Sequence, residues 1–172
     1  MALIKSVKGV KPIFGENCFL ADNATITGDV ITGNNCSIWF NAVVRGDVHT
    51  IRMGNNVNIQ DGAIVHCTYQ KAATNIGNNV SVAHKAIIHG CTINDNVLIG
   101  MGAIVMDGVI IGSNSIIAAG AIVLENTIIE EGSLYAGIPA KKIKNLDKTL
   151  IEGQINRIAN AYPMYASWYD KD

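Results

Sequence analysis

Three of the four histidines, His66, His84 and His89, stand on a lattice of apolar residues that recurs every six positions. Imidazole is the commonest metal ligand and a general base near neutral pH. Which of the three share a face therefore separates a metal site from scattered core or interface histidines. Arg45, Asp47, Asn58, Gln60 and Asp61 lie in the same stretch and offer charges and amides to such a site.

The lattice runs Phe14, Leu20, Ile26, Thr32, Ile38, Val44. It resumes at Met53, Ile59, Val65, at Ile76, Val82, Ile88, and at Ile93 through Ile99, Val105, Ile111, Ile117, Val123 and Ile129 to Tyr135. The residue four places later is usually small, as at Ala24, Cys36, Ala42, Val48, Ala63, Val80, Ala86, Thr92, Ala103 and Ala121. This is the hexapeptide signature of a parallel β-helix. Alternation within each unit predicts short strands. The Gly-Asn-Asn triplets at 33–35, 54–56 and 77–79 suit corners that need φ > 0. Three sides of six residues make a coil of about eighteen, so the repeats predict six to seven coils. An all-β prism over residues 1–143 is the expected fold.

The step from Val44 to Met53 is longer than six, and the step from Val65 to Ile76 is longer still. Counted in sides rather than residues, Val44, Val65 and Ile88 fall on one face in successive coils. Arg45, His66 and His89 then form a column with neighbours about 4.8 Å apart. His84 stands on the preceding face, above Asp61 and below Met101. Five extended residues separate His84 from His89 by roughly 16 Å, too far for one zinc with bonds of about 2.0–2.1 Å. One chain thus offers two ligands, and a ring of copies would supply the third from a neighbour. Three imidazoles leave a tetrahedral metal one open position, the pattern of a catalytic site.

Residues 144–172 read differently. Leu146, Leu150, Ile151, Ile155, Ile158, Ala159 and Tyr162 have helical spacing, with Asn145 or Asp147 as N-cap and Pro163 ending or kinking the helix. The helix and the aromatic tail Tyr165, Trp168, Tyr169 are expected to pack along the prism or a neighbour, covering open β edges. A net charge of −1 offers no basic stripe for nucleic acid. The start Met-Ala-Leu-Ile-Lys has no apolar leader and no stretch suits a bilayer, so the expected location is cytoplasmic. Cys18, Cys36, Cys67 and Cys91 form no CxxC pair; the last two lie near histidines and are weighed as ligands.

Val44-Arg45-Gly46-Asp47, Asn58-Ile59-Gln60-Asp61-Gly62, Val65-His66, Ala83-His84 through His89-Gly90-Cys91 and Ala136-Gly137-Ile138-Pro139-Ala140-Lys141 resemble the γ-class carbonic anhydrases of the hexapeptide-repeat superfamily. The resemblance spans nearly the whole chain. It implies a left-handed prism and a homotrimer whose interface sites hold zinc, with iron or cobalt as alternatives, on His66, His84 and His89. Arg45 and Asp47 would pair at the interface, and Asp61 would support His84. Gln60 would orient the reacting water, with Asn58 and Tyr162 assisting. The implied reaction is reversible hydration of carbon dioxide, using water ionised near neutral pH by the metal.

One departure stands out. Val48 occupies the place of a glutamate that shuttles protons in the best-known γ enzymes, and the loop 67–75 carries no acid. A metal-dependent thioesterase or hydrolase, a coenzyme A acyltransferase with a single histidine base, and a non-catalytic trimeric scaffold are the competing readings.

Overall fold

The computed structural model describes residues 1–169. The chain winds as a parallel β-solenoid of about seven turns, followed by a C-terminal helix. Two sides of the prism form one eleven-stranded sheet, because the long strand Val43–Met53 turns the corner between them. The third side is an eight-stranded sheet.

Register follows the six-residue lattice. Ile26 pairs with Val44, Val44 with Val65, Val65 with Ile88, Ile88 with Val105 and Val105 with Val123. All six side chains are buried in one stack that fills the prism axis. A one-residue slip would turn the whole stack toward solvent, so burial fixes the register firmly.

At the irregular steps the inward positions move. Val48 and Thr92 stand only half-buried, and Ile51 and Cys91 take the inward places instead. The reason is length: the step from Val44 to Met53 runs long and that from Ile88 to Ile93 runs short, so a fixed offset of four misses the core there.

The Gly-Asn-Asn corners divide their labour. The last asparagine takes the left-handed conformation, with φ of +56° at Asn35, +55° at Asn56 and +54° at Asn79. The glycine instead permits close approach, since a Cβ on Gly33 would lie 2.7 Å from the Gly54 carbonyl oxygen. The asparagines also join coil to coil: Asn56 Nδ2 donates to Asn79 Oδ1 at 2.9 Å and Asn79 Nδ2 to Asn96 Oδ1 at 3.0 Å.

Strand Lys141–Asn145 reverses direction and pairs antiparallel with Ser133–Ala136, closing one end of the third sheet. Asp147 caps the helix, its side chain accepting from the Leu150 amide at 2.8 Å. The segment runs through a π-helical stretch, Ile151–Asn156, into Arg157–Ala166. Pro163 does not end it. Ala159 and Ala166 are buried on either side of the proline, and Tyr162 packs edge-on against Trp39 with ring centroids 5.2 Å apart. The helix packs along its own prism, on the broad third face near Ser37–Ile38 and Val97–Ile99 rather than over a β edge. Tyr169 follows it, against Phe19, Trp39 and Phe40. Among the described residues no helix is long and apolar enough to cross a membrane.

Replacing Asn79 by alanine removes two ladder bonds and leaves a Cβ-bearing residue at positive φ. The expected loss is about 2–3 kcal/mol, read from urea denaturation. Asn79→Gly should lose less, because it relieves the backbone; equal losses would show that φ is not the cause.

Candidate metal centre

The site residues fall into two groups at different corners of the prism. At the first corner His89 is in register with His66, and Arg45 continues the same column one coil away. His66 Nδ1 and His89 Nε2 face each other at 3.0 Å. The remaining nitrogen of each ring meets a carboxylate: His66 Nε2 lies 3.1 Å from Asp47 Oδ1, and His89 Nδ1 lies 2.5 Å from Asp107 Oδ1. Arg45 grips the other oxygen of Asp47 at 2.7 Å within the same chain.

The electrostatics favour a neutral His66 and ionised Asp47 and Asp107. Burial lowers the pKa of His66, and the charges of Arg45 and His89 add to this against the opposing pull of Asp47. Burial works to raise Asp47, but hydrogen bonds from Arg45 and His66 outweigh it and hold the carboxyl below its usual range. Asp107 is likewise held down, its burial overcome by hydrogen bonds from Thr68 and His89.

At the second corner His84 Nδ1 lies 2.9 Å from Asp61 Oδ2, as the column count placed them. Gln60 is almost fully buried, and its Nε2 donates to Asn58 Oδ1 at 2.9 Å. Asn58 in turn donates through Nδ2 to Ser81 Oγ at 2.8 Å. This relay fixes both amides and leaves Gln60 Oε1 for the cavity that Gln60, His84 and Tyr162 line together. The Tyr162 hydroxyl is kept protonated by burial, reinforced by the charge of Asp61. The second group is thus His84, Asp61, Asn58, Gln60 and Tyr162, one side of the prism away from His66 and His89.

The model for bacterial transferase hexapeptide (six repeats) matches residues 90–125. A carbonic anhydrase of Geobacillus kaustophilus is 39% identical over 167 residues, covering 97% of this chain and 91% of its own. The chain belongs to the γ-carbonic anhydrase-like family of hexapeptide-repeat proteins. The mitochondrial gamma carbonic anhydrase 1 of Arabidopsis thaliana is 41% identical over 97 residues, which are 54% of this chain and 35% of that protein. A solved hexapeptide transferase family protein from Anaplasma phagocytophilum superposes with a TM-score of 0.92 at 37% identity, covering 97% of this chain and 98% of that one.

The first corner fits the metal that this family implies. With the outer nitrogens donating to Asp47 and Asp107, the inner two carry lone pairs aimed at each other. Such a pair repels unless a proton or a cation lies between them. Two bonds of about 2.0–2.1 Å at a tetrahedral angle set their nitrogens about 3.3 Å apart, close to the 3.0 Å found. Among the described residues no single-chain cluster of three or more candidate ligands forms, so His84 does not complete this pair within its own chain. The cysteines do not serve. Cys67 and Cys91 are buried in the core, and burial pushes their thiols up to about 11 and about 12, which disfavours the thiolate that a metal needs.

Asp107 was not evident from the sequence. It lies a coil beyond His89 and bridges that ring to Thr68 of the inserted loop, whose Oγ1 donates to Asp107 Oδ2 at 2.5 Å. The visible signal was an acid two places after the lattice residue Val105, and nothing local tied it to a histidine. In the intact protein, nitrogen-15 shifts should show His89 as a single tautomer protonated at Nδ1. Asp107→Ala should give a mixture and speed amide exchange in the loop around Ala72. An unchanged His89 spectrum would remove the positioning role.

Proposed function

We propose that this chain catalyses the reversible hydration of carbon dioxide at a divalent metal shared between copies in a ring of three. His66 and His89 of one copy and His84 of the next hold the metal; zinc suits three imidazoles, and iron or cobalt are chemically admissible. The observation that carries this reading is the facing pair of imidazole nitrogens, each backed by its own carboxylate. Such carboxylate–histidine pairs orient metal ligands and raise their basicity. Membership of a family with carbonic anhydrase relatives supports the reaction assigned.

When bound, the metal supplies Lewis acidity and lowers the pKa of water from 15.7 toward about 7. The chain's residues do the rest. Asp47, Asp61 and Asp107 hold the three imidazoles in the ligating tautomer. Gln60, its amide fixed by Asn58, presents Oε1 where it can accept a hydrogen bond from the reacting water and set its orientation. Asn58 acts through Gln60, because both ends of its own amide are engaged. Tyr162 walls the cavity with a neutral hydroxyl. Arg45 holds Asp47 against His66 and, half-exposed at this corner, helps to set the register between copies.

For proton removal, Val48 and the loop residues 67–75 offer no acid. Both oxygens of Asp47 and of Asp107 are engaged, the first by His66 and Arg45, the second by Thr68 and His89. The acid left at this corner is the exposed Glu125, which lines a pocket with His89 and Asp107. Stopped-flow hydration on protein of known metal content should therefore rise steeply with buffer concentration and vanish with a chelator. A metal-loaded protein inert even in strong buffer would shift the assignment to hydrolysis of a larger substrate, such as a thioester.

Sharing is tested by mixing. His84→Ala and His66→Ala chains should each lose metal at every site, while co-refolded mixtures recover some complete sites. No recovery would show that the ligands are not shared. Arg45→Ala should weaken the ring in sedimentation while metal affinity per intact ring stays within a fewfold of wild type; the reverse pattern would make Arg45 part of the metal's own surroundings.

A further inference from the structure

The cavity beside His84 is far larger than carbon dioxide needs. It measures about 380 Å³ and lies between the C-terminal helix and the third face of the prism. Organic ligands occupy sites of roughly 300–1,000 Å³, whereas one water takes about 30 Å³ of liquid. Its walls are mostly apolar: Leu98 and Met101 from the prism and Ile158 from the helix, with the small side chains of Ala83, Ala119 and Ala161 leaving the space open.

Charge enters at one end. Arg157 lines the cavity from the helix, and its Nε donates to the Gly153 carbonyl at 2.9 Å, which fixes the guanidinium. Among the described residues Arg157 has no ion-pair partner. Its terminal nitrogens are therefore available as a fork for a carboxylate. Tyr162 lies five residues further along the helix, about 7.5 Å away by helical rise. At that end the cavity presents Gln60 Oε1.

We propose that this cavity binds an organic carboxylate of medium length. Its charged end sits on Arg157, its apolar body lies against Leu98, Met101 and Ile158, and a hydroxyl at the far end donates to Gln60 Oε1. One chain builds the whole cavity, so the inference stands whether or not the metal reading does.

Calorimetric titration with acetate, butyrate, hexanoate and 6-hydroxyhexanoate tests it. Chelator-treated protein keeps a carboxylate from reporting a bound metal. Affinity should rise by up to about fourfold per methylene from acetate to hexanoate, and 6-hydroxyhexanoate should bind tighter than hexanoate. Arg157→Gln should weaken hexanoate roughly tenfold or more, and Ala161→Leu, which fills the space, should abolish binding with the fold intact by circular dichroism. Equal binding of acetate and hexanoate would overturn the proposal, as would indifference to Arg157→Gln. If Arg157→Gln instead shifts the sedimentation coefficient and leaves affinity unchanged, the cavity is the seat of a second copy and the ligand assignment fails.

Discussion

In-register stacking of coils is the constraint on which this structure depends. Each lattice residue lies directly over its counterpart in the next coil, so residues far apart in sequence become neighbours at the strand spacing. The apolar stack from Ile26 to Val123 is the stabilising product of that arrangement. The histidine pair is its chemical product. His66 and His89 meet because Val65 and Ile88 must stack, and no separate device is needed to bring them together.

The same constraint explains why the chemistry is divided. A residue just past a corner faces away from the residues on the side before it, so a prism offers ligands in columns, one per corner. Arg45, His66 and His89 occupy one column, Asp61 and His84 another. The acids are placed by the same logic. Asp61 lies one coil under His84, and Asp107 lies one coil over His89. Asp47 reaches His66 from the long corner of Val43–Met53, where extra residues let the chain swing outward.

Much of this was legible in the sequence because a strict period converts position into geometry. The prism, the His66–His89 column and the Asp61–His84 pair followed from counting, and Asp147 was one of the two N-caps that residue type offered. Where the period breaks, counting fails. Val48 and Thr92 stand at the four-place offset, which reaches the core only where the step is six residues. Asp107 acts through Thr68, and their meeting depends on how the inserted loop folds back, which no period describes. The end of the helix was illegible for another reason. Pro163 is a strong local signal to stop, but burial of Ala159 and Ala166 and the stacking of Tyr162 on Trp39 are tertiary contacts that override it.

The loop between Val65 and Ile76 has both feet fixed. Thr68 and Ala72 bond to each other across its neck, Thr68 is tied to Asp107, and Thr74 donates to the His66 carbonyl. Only Tyr69, Gln70 and Lys71 project beyond that neck, all exposed. A solenoid's length along its axis is set by the number of coils, whereas its girth at such a point is unconstrained. This tip is therefore a natural graft point, where a peptide or a reporter could be inserted without altering the pitch of the coils beneath.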